Sequence, residues 1–266
     1  MNGLAATVAG TCAAGRHLFA NLASTVALKQ VLALYTACMN EPVHFSEPQP
    51  PTGTGTGRTN DPARTMAEIL AVATHEFADK GLTGARIDEI AAATRTSKRM
   101  IYYYFGSKDG LYLAVLEEAY RRMRAIESDL HLDDLPPVQA LQRLVEFTYD
   151  HHRDNEDFIR LVMNENIQRG DYLRQSQSIQ QLNSKAIESV REVYDRGVAE
   201  GLFRSGLDPV DIHSAISAFT FFNVSNRHTF GLIFQNRASQ DKANTLKRVH
   251  VVELILRFVS RSIPAA

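Results

Sequence analysis

The sequence predicts an all-α protein, in which an N-terminal three-helix part with a helix-turn-helix is followed by a larger C-terminal helical part. Three observations support this. Apolar residues recur at spacings of three and four from residue 61 onward, which is the period of an amphipathic helix. Asp-Pro pairs, which favour the start of a helix, stand at Asp61-Pro62 and Asp208-Pro209. No segment shows the sustained alternation of a half-buried strand.

The first 60 residues differ in composition from the rest. Residues 1–38 are rich in Ala, Leu, Val and Thr, and Arg16 and Lys29 are their only formal charges. No uncharged stretch there reaches the roughly 18 residues that a membrane span needs. Residues 41–60 are rich in Pro, Gly and Thr and cannot bury a core. We therefore expect residues 1–60 to be a disordered extension and linker, with the natural start at Met39. A genuine extension that is disordered or weakly helical is the alternative.

The chain beyond residue 60 reads as a series of helices. An apolar stripe from Met66 to Phe77 follows the Asp61 cap, and Gly81 is expected to end that helix. Residues 133–137, which include two prolines, are expected to break the helical pattern again. The helices predicted after the helix-turn-helix are residues 107–130, 138–153, 157–169, 173–200, one that starts at 208 and passes 224, and 242–262.

Residues 86–108 have the pattern of two short helices joined by a tight turn. Residues 87–91 carry apolar side chains at helical spacing, and residues 94–96 form a polar turn. Ser97 is a good N-cap for the second helix, because its hydroxyl can accept a free backbone N–H. Such a unit can place its second helix in the major groove of DNA.

The second helix of this unit is expected to have a buried and an outward side. Ile101, Tyr102 and Phe105 are predicted to face inward, and basic and aromatic side chains to face outward. There is no acidic residue between Glu89 and Asp109. Because the formal net charge of the chain is −1, affinity for nucleic acid must come from a local patch of this kind.

The segment from Ser97 to Leu111, SKRMIYYYFGSKDGL, resembles the DNA-binding signature of the TetR (tetracycline-repressor-like) family of bacterial regulators. That signature runs roughly S-x-x-x-[LI]-Y-x-[YH]-F-x-[ST]-K-x-x-[LI]. The chain departs from the common pattern at Arg95-Thr96 in the turn and at Arg99 in the second helix, where the family often has glycine-containing pairs and glycine. Both departures concern the DNA sequence that is read and leave the fold unaffected.

The resemblance implies a helix-turn-helix DNA-binding domain at residues 61–107 and a helical effector-binding and dimerisation domain at residues 108–266. The expected partners are a double-stranded DNA operator, a second copy of the chain and a small-molecule effector, with no membrane. The residues expected to contact DNA are Arg95, Thr96, Ser97, Lys98, Arg99, Met100, Tyr103, Tyr104 and Lys108.

Two segments near the C-terminus, residues 212–222 and 249–259, are apolar on more than one face. A helix of that kind must be covered on both sides. Covering the second side with a partner copy gives a two-fold dimer, which matches a palindromic pair of half-sites. The alternative is that these residues fill a larger monomer core.

Aromatic and polar residues gather in the C-terminal part in a way that suits a small-molecule site, which combines an apolar cavity with a few polar groups. Arg227 could hold a carboxylate through a bidentate pair. The residues proposed for ligand contact are Phe147, His151, Phe158, Met163, Phe222, Asn226 and Arg227.

Sequence motifs of catalysis are absent, and an enzyme, a cofactor and a metal site are not expected. The adjacent pair His151-His152 lacks the spacing at which two helical histidines bind one metal, and there is no G-x-S-x-G, P-loop or GxGxxG motif. Cys12 and Cys38 precede the predicted fold, so no disulfide framework is expected, which suits a cytoplasmic location at the nucleoid.

Three functions are compatible with these features. The first is a homodimeric repressor that an effector releases from its operator, with the helix that starts at Ser107 as the covalent link that transmits the signal. The second is an activator or a ligand-independent DNA-binding factor of the same fold. The third is a helical ligand-binding protein without DNA binding.

Overall fold

The computed structural model describes the backbone of residues 61–234 and 240–261 and the side chains of residues 61–234 and 247–261. The expectations for residues 1–60 lie outside the described residues. None of the helices in the described part is long and apolar enough to cross a membrane.

The described residues form an all-α fold, as the sequence predicts. Its regular elements are ten α-helices and two 3₁₀ turns, Leu132–Asp134 and Leu173–Gln175. The helices are α1 Pro62–Gly84, α2 Ile87–Ala93, α3 Lys98–Phe105, α4 Lys108–Ser128, α5 Pro137–Asp154, α6 Glu156–Ile167, α7 Gln177–Ala199, α8 Pro209–Ser225, α9 Arg227–Ile233 and α10 Gln240–Val259.

Helix α1 starts and stops where its end residues predict. Asp61 accepts the backbone N–H groups of Ala63 and Arg64, at 3.1 and 3.2 Å. Gly81 lies in the left-handed region at φ 65°, outside helical geometry, and only a short continuation follows it. The regular helix therefore ends at Gly81, as expected, with a sharp kink. A residue with a Cβ would adopt this left-handed conformation less easily than glycine does.

The helix-turn-helix is set by side-chain caps at its two later starts. Ser97 accepts the N–H of Met100 at 3.2 Å at the start of α3. Ser107 accepts the N–H of Gly110 at 2.9 Å at the start of α4. Both caps satisfy backbone donors that have no partner within their own helix, which fixes the points at which α3 and α4 begin.

Arg95 occupies the left-handed region in the turn between α2 and α3, at φ 52°. A residue with a Cβ is disfavoured in this conformation, whereas glycine adopts it without that steric penalty. We expect Arg95→Gly to stabilise the protein by about 0.5–1 kcal/mol, after the larger backbone entropy of glycine is subtracted. Urea unfolding should show the midpoint rising. Arg95→Ala removes the same charge and keeps the Cβ, so it should leave the midpoint unchanged, and a lower midpoint for Arg95→Gly would contradict the argument.

The hydrophobic core consists of two clusters. One joins α1, α2, α3 and most of α4 to α6, with one residue each from α7 and α8, and in it the rings of Phe77 and Tyr112 pack edge to face at 5.1 Å between centroids. The other joins α5, α7, α8 and α10. The first cluster therefore does not end with the helix-turn-helix, because buried Ile159 and Leu161 of α6 belong to it.

Helix α6 holds the C-terminal end of α1 through hydrogen bonds. The guanidinium of Arg160 donates to the carbonyl oxygens of Ala78 and Asp79, at 2.8 and 3.1 Å. The side-chain amide of Asn164 donates to the carbonyl oxygen of Phe77 at 3.2 Å. These carbonyls lie in the last turn before the Gly81 kink, where backbone acceptors lose their helical partners. We refer to this set of contacts as the α6 latch.

Two details of the C-terminal helices differ from the sequence prediction. The helix expected to start at Leu173 starts at Gln177, because Ser176 caps it by accepting the N–H of Ile179 and the preceding residues form a separate 3₁₀ turn. Val249, expected to be buried in the last helix, is 53% exposed, while its neighbours Val251 and Ile255 face the core.

Candidate nucleic-acid interface and effector site

The outer face of α3 carries two cations and two tyrosines. Lys98 and Arg99 are exposed, and Tyr102 and Tyr103 are 45% and 42% exposed. The prediction that Tyr102 is buried is wrong. Ile101 points inward, and the residues that share its helical face are three and four positions further on, not the next one. Tyr102 therefore extends the exposed face.

The remaining predicted DNA contacts in or next to α3 differ in how far they are exposed. Tyr104 and Phe105 are half-buried against the core of the DNA-binding end. Tyr104, expected to reach a phosphate, thus also has a packing role, and its ring stacks edge to face on Tyr103 at 5.3 Å. Thr96 and Met100 are half-buried, and Ser97 is exposed while its hydroxyl caps the helix.

The cations of this face differ in how freely they can turn to DNA. The Lys98 ammonium lies 2.6 Å from Asp88, and this hydrogen bond holds the pKa of the Asp88 carboxyl below its usual range. Within the described residues no ion pair joins Arg95 or Arg99 to an acid. Arg95 and Arg99 are therefore the cations that can approach DNA without first leaving a carboxylate.

Lys108 lies in the first turn of α4, beside the Ser107 cap. Its ammonium donates to the carbonyl oxygen of Thr83 at 3.3 Å, which joins the start of α4 to the end of α1. The free N–H groups of a helix start favour an anion, and the lysine adds a full positive charge next to them. This arrangement suits a phosphate, as the sequence predicts, although the phosphate contact itself stays a prediction.

Three of the predicted ligand residues lie together in the C-terminal part. The ring of His151 lies 5.7 Å from that of Phe147 and 5.7 Å from that of Phe158. His152, which was not among the proposed ligand contacts, belongs to the same group: it stacks on Phe158 at 6.0 Å and meets Phe221 edge to face at 6.2 Å. Both histidines are buried.

Burial keeps these histidines neutral. It lowers the pKa of His151 to about 4, with a smaller effect from the charge of Arg124. It lowers the pKa of His152 to about 3, helped by His151 and Arg124. His213 on α8 has its pKa lowered to about 4 for the same two reasons, burial and the Arg124 charge. The charge of one arginine thus acts on three imidazoles.

The other four predicted ligand residues make different contacts. Met163 is half-buried and packs on the core of the DNA-binding end. Phe222 is 48% exposed and meets Phe230 edge to face. Arg227, expected to hold a ligand carboxylate, is paired with Glu156, and the amide of Asn226 donates to the Ser225 hydroxyl at 2.8 Å. Their part in a ligand site therefore stays a prediction.

A groove of about 850 Å³ runs between α4 and α7. Its floor includes Arg124, Glu127 and Ala186, and charged side chains such as Arg121 and Lys185 form its rim. None of the seven predicted ligand residues lines it. Sequence reasoning missed Arg124 because a single arginine beside an apolar helical face is usually solvated, whereas here its side chain is only 9% exposed.

One further cluster has the composition of a metal site. Among the described residues, His131, Asp133 and Asp134 bring one ligand atom each to within 4.8 Å of one another after α4. All three are exposed, and exposed acidic groups of this kind are common without a metal.

Large apolar side chains are exposed on each of the last three helices and directly after α9. Large apolar side chains there reach exposures of 81% for Leu232 and 70% for Ile233. Surfaces of this kind mark contact with another molecule more often than single exposed apolar residues do. We call this set the apolar C-terminal surface; its members are Phe219, Phe222, Phe230, Leu232, Ile233, Phe234, Val249 and Leu254.

Comparison with known proteins agrees with the two parts of the fold. Residues 69–115 match the family described as bacterial regulatory proteins, tetR family. Residues 137–255 match the tetracyclin repressor-like, C-terminal domain. The first match covers the helix-turn-helix with the start of α4, and the second runs from α5 into α10.

Individual relatives match most of the described chain. The HTH-type transcriptional repressor NicS of Pseudomonas putida is 33% identical over 204 residues, which are 77% of this chain and 96% of the relative. The HTH-type transcriptional repressor SCO4008 of Streptomyces coelicolor is 33% identical over 139 residues, 52% of this chain and 69% of the relative.

Solved structures share the fold. A bacterial regulatory protein in the tetR family from Rhodococcus superposes with a TM-score of 0.58 at 20% identity, covering 75% of this chain and 99% of that one. With α3 presented as an exposed basic and aromatic helix and with these relatives, the chain belongs to the TetR family of DNA-binding transcriptional regulators.

Proposed function

We propose that this regulator is a homodimeric repressor that binds a palindromic operator and is released from it by a small-molecule effector. The observation that carries the proposal is the outer face of α3, which combines exposed Lys98, Arg99, Tyr102 and Tyr103 on a helix whose start is fixed by a cap. Relatives named as repressors support the same reading.

The proposed DNA contacts divide into two kinds. Arg99, on the outer face of α3, is suited to base edges in the major groove, where arginine can pair with guanine in a bidentate manner. Lys108 is suited to a phosphate, since it stands in the first turn of α4 among free N–H groups. The remaining proposed contacts on or near this face are Arg95, Thr96, Ser97, Lys98, Met100, Tyr103 and Tyr104.

Dimerisation is supported by the apolar C-terminal surface. The exposed large side chains of this surface are on α8, α9 and α10, the last helices in the sequence, whereas the helix-turn-helix is formed by early helices. A two-fold contact would cover the same surface on both copies and leave two copies of α3 to meet two half-sites. Phe222, first proposed as a ligand contact, is better explained as part of this surface, because it is half-exposed and packs on Phe230.

The test is a titration of the purified chain with its own upstream intergenic DNA at several salt concentrations. Specific binding should be tighter than binding to unrelated DNA and should weaken steeply with salt, because cations of the protein replace counterions on the phosphates. Absence of any salt-dependent binding would favour a helical ligand-binding protein instead. A metabolite that binds the free protein should weaken operator binding, and the operator should weaken metabolite binding by the same factor.

Arg99→Ala and Lys108→Ala should have different effects on this binding. Lys108→Ala is expected to weaken binding to all DNA sequences and to lower the slope of log affinity against log salt by about one unit. Arg99→Ala is expected to change which sequences are preferred, at roughly 1–3 kcal/mol for each lost base contact. Arg191→Ala, an exposed arginine on α7, is the control and should change neither. Normal operator affinity in both test variants would mean that α3 is not the reading helix.

A further inference from the structure

Arg124, on α4, has a buried side chain, and only some of its N–H groups make hydrogen bonds. One terminal nitrogen of its guanidinium pairs with Glu127, and the other donates to the amide oxygen of Asn183 at 2.8 Å. The Nε–H has no hydrogen-bond partner within the described residues, and its atom is fully buried. An arginine normally keeps such a donor in water or in a hydrogen bond, because a buried donor without a partner is costly.

Two more buried nitrogens close to Arg124 have no partner. The Nδ1 atoms of His151 and His152 are fully buried and make no hydrogen bond within the described part of the chain. Arg124 lies near enough for its charge to disfavour protonation of both rings. Among the described residues, the interior of the C-terminal domain thus holds three unpaired nitrogens, one of them on a permanent cation.

The surroundings of these nitrogens are apolar and aromatic. Phe147 and Phe158 flank His151, and Phe158 and Phe221 flank His152. Arg124 also lines the groove between α4 and α7, so its guanidinium can be approached from outside. A ligand that matched this environment would bring an acceptor for N–H donors and a body without polar groups.

We propose that the effector is a small carboxylic acid with an apolar body, bound as its carboxylate by Arg124 and the pair His151 and His152. The proposal rests on the proposed function, since it assigns the chemical class of the effector for that regulator. A carboxylate is an acceptor-only group that can take hydrogen bonds from a guanidinium and from imidazole N–H groups at once. It would give partners to donors that have none in the free protein.

The charges around the site determine how it responds to pH. They are Arg124 and Glu127 on α4, Asp154 at the end of α5 and His213 on α8. In the free protein the negative charge of Glu127 balances the positive charge of Arg124. A bound carboxylate therefore leaves the interior with an excess negative charge. This excess favours a proton on one histidine. Binding should therefore take up protons, and the affinity should fall as pH rises through the pKa of that histidine in the complex.

The test uses the full chain with benzoate and hexanoate as probes, and with benzamide and hexanamide as neutral controls of the same shape. Each carboxylate is expected to raise the melting temperature by about 3 °C or more at ten times its Kd, and the amides are expected to have no effect. Calorimetric titration in two buffers of different ionisation enthalpy should show proton uptake for the carboxylates.

The double variant Arg124→Met with Glu127→Gln removes the buried pair together, so that no lone charge stays inside. It is expected to weaken carboxylate binding at least about tenfold. The matched control is Arg64→Met with Glu68→Gln, an exposed pair at 2.9 Å on α1, which should bind the carboxylates as the parent does. If the buried double variant does not fold, His152→Gln is compared with the exposed His75→Gln, and only His152→Gln should lose affinity and proton uptake.

Two results would overturn the proposal. One is that neither carboxylate binds better than its amide; the other is that the variants of the buried group bind the carboxylates as the parent does. Operator binding without any probe is measured in parallel. If it is intact while the carboxylates fail, the effector class is wrong and the regulator function stands. If operator binding itself is absent, the proposed function fails whatever the carboxylates do.

Discussion

Replacing Gly110 by alanine is expected to abolish specific operator binding while the C-terminal domain stays folded. Gly110 lies in the first turn of α4, and a Cβ there would overlap the backbone carbonyl oxygen of Phe105, at the end of α3. Backbone cannot yield as the end of a flexible side chain can, so α3 must move relative to α4. Since α3 must fit the major groove in a fixed orientation to α4, even a small shift removes its base contacts.

Far-ultraviolet circular dichroism, melting temperature and operator titration together check this prediction. Gly84→Ala is the matched control in the same part of the chain, because its Cβ would meet only the side-chain Cβ of Lys80, at 3.3 Å. We expect this control to keep operator affinity within about threefold, in line with the small effects of surface substitutions. Wild-type affinity for Gly110→Ala would show that the close approach of α3 and α4 is dispensable.

Acid is expected to destabilise the protein strongly between pH 7 and pH 5, because of two buried histidines and one that is half-buried. Their pKa values in the folded state are lowered, to about 4 for His151, about 3 for His152 and about 4 for His213. An unfolded histidine titrates near 6.5, so over this range the unfolded chain binds protons that the folded chain does not. The contribution of these neutral histidines to the free energy of unfolding is present above pH 6.5. It is lost as pH falls, by up to about 2 kcal/mol for each histidine at pH 5.

Urea unfolding at pH 7 and at pH 5 measures this loss. His152→Gln keeps a polar side chain without a titrating group, so it should reduce the difference between the two pH values by about 2 kcal/mol. His250→Gln is the control: that side chain is exposed and makes no ion pair with an acid among the described residues, so its replacement should leave the difference unchanged. An equal acid sensitivity in His152→Gln and the parent would show that His152 does not carry the effect.

Local signals explain which parts of the fold could be predicted from the sequence. The caps at Asp61, Ser97, Ser107 and Asp208 each depend on a side chain and a backbone N–H two or three residues later, so a short segment contains all the information. The helix-turn-helix follows from those caps and from the apolar spacing between them. Tyr102 was the error in this region, since a run of four aromatic residues does not itself show which ones face inward.

The interior of the C-terminal domain was harder to predict because it depends on contacts between distant segments. Arg124 and Asn183 are far apart in sequence and meet only when α4 packs on α7. Arg227 looked available for a ligand, but it faces Glu156 across a similar sequence distance. Single positions on amphipathic helices can be assigned to a face from periodicity, whereas the partner across the interface cannot.

The α6 latch also limits how the helix-turn-helix can move. A body joined to its support only through α4 could swivel in any direction about that single joint. Arg160 and Asn164, together with the buried α6 residues of the first core cluster, form a second attachment at the end of α1, away from α4 in sequence. Two attachments leave rotation about the line between them as the easy motion. In a dimer, each helix-turn-helix would then rotate about one axis relative to its own C-terminal domain. The angle of that rotation would set the distance between the two copies of α3, and so the half-site spacing that the protein accepts.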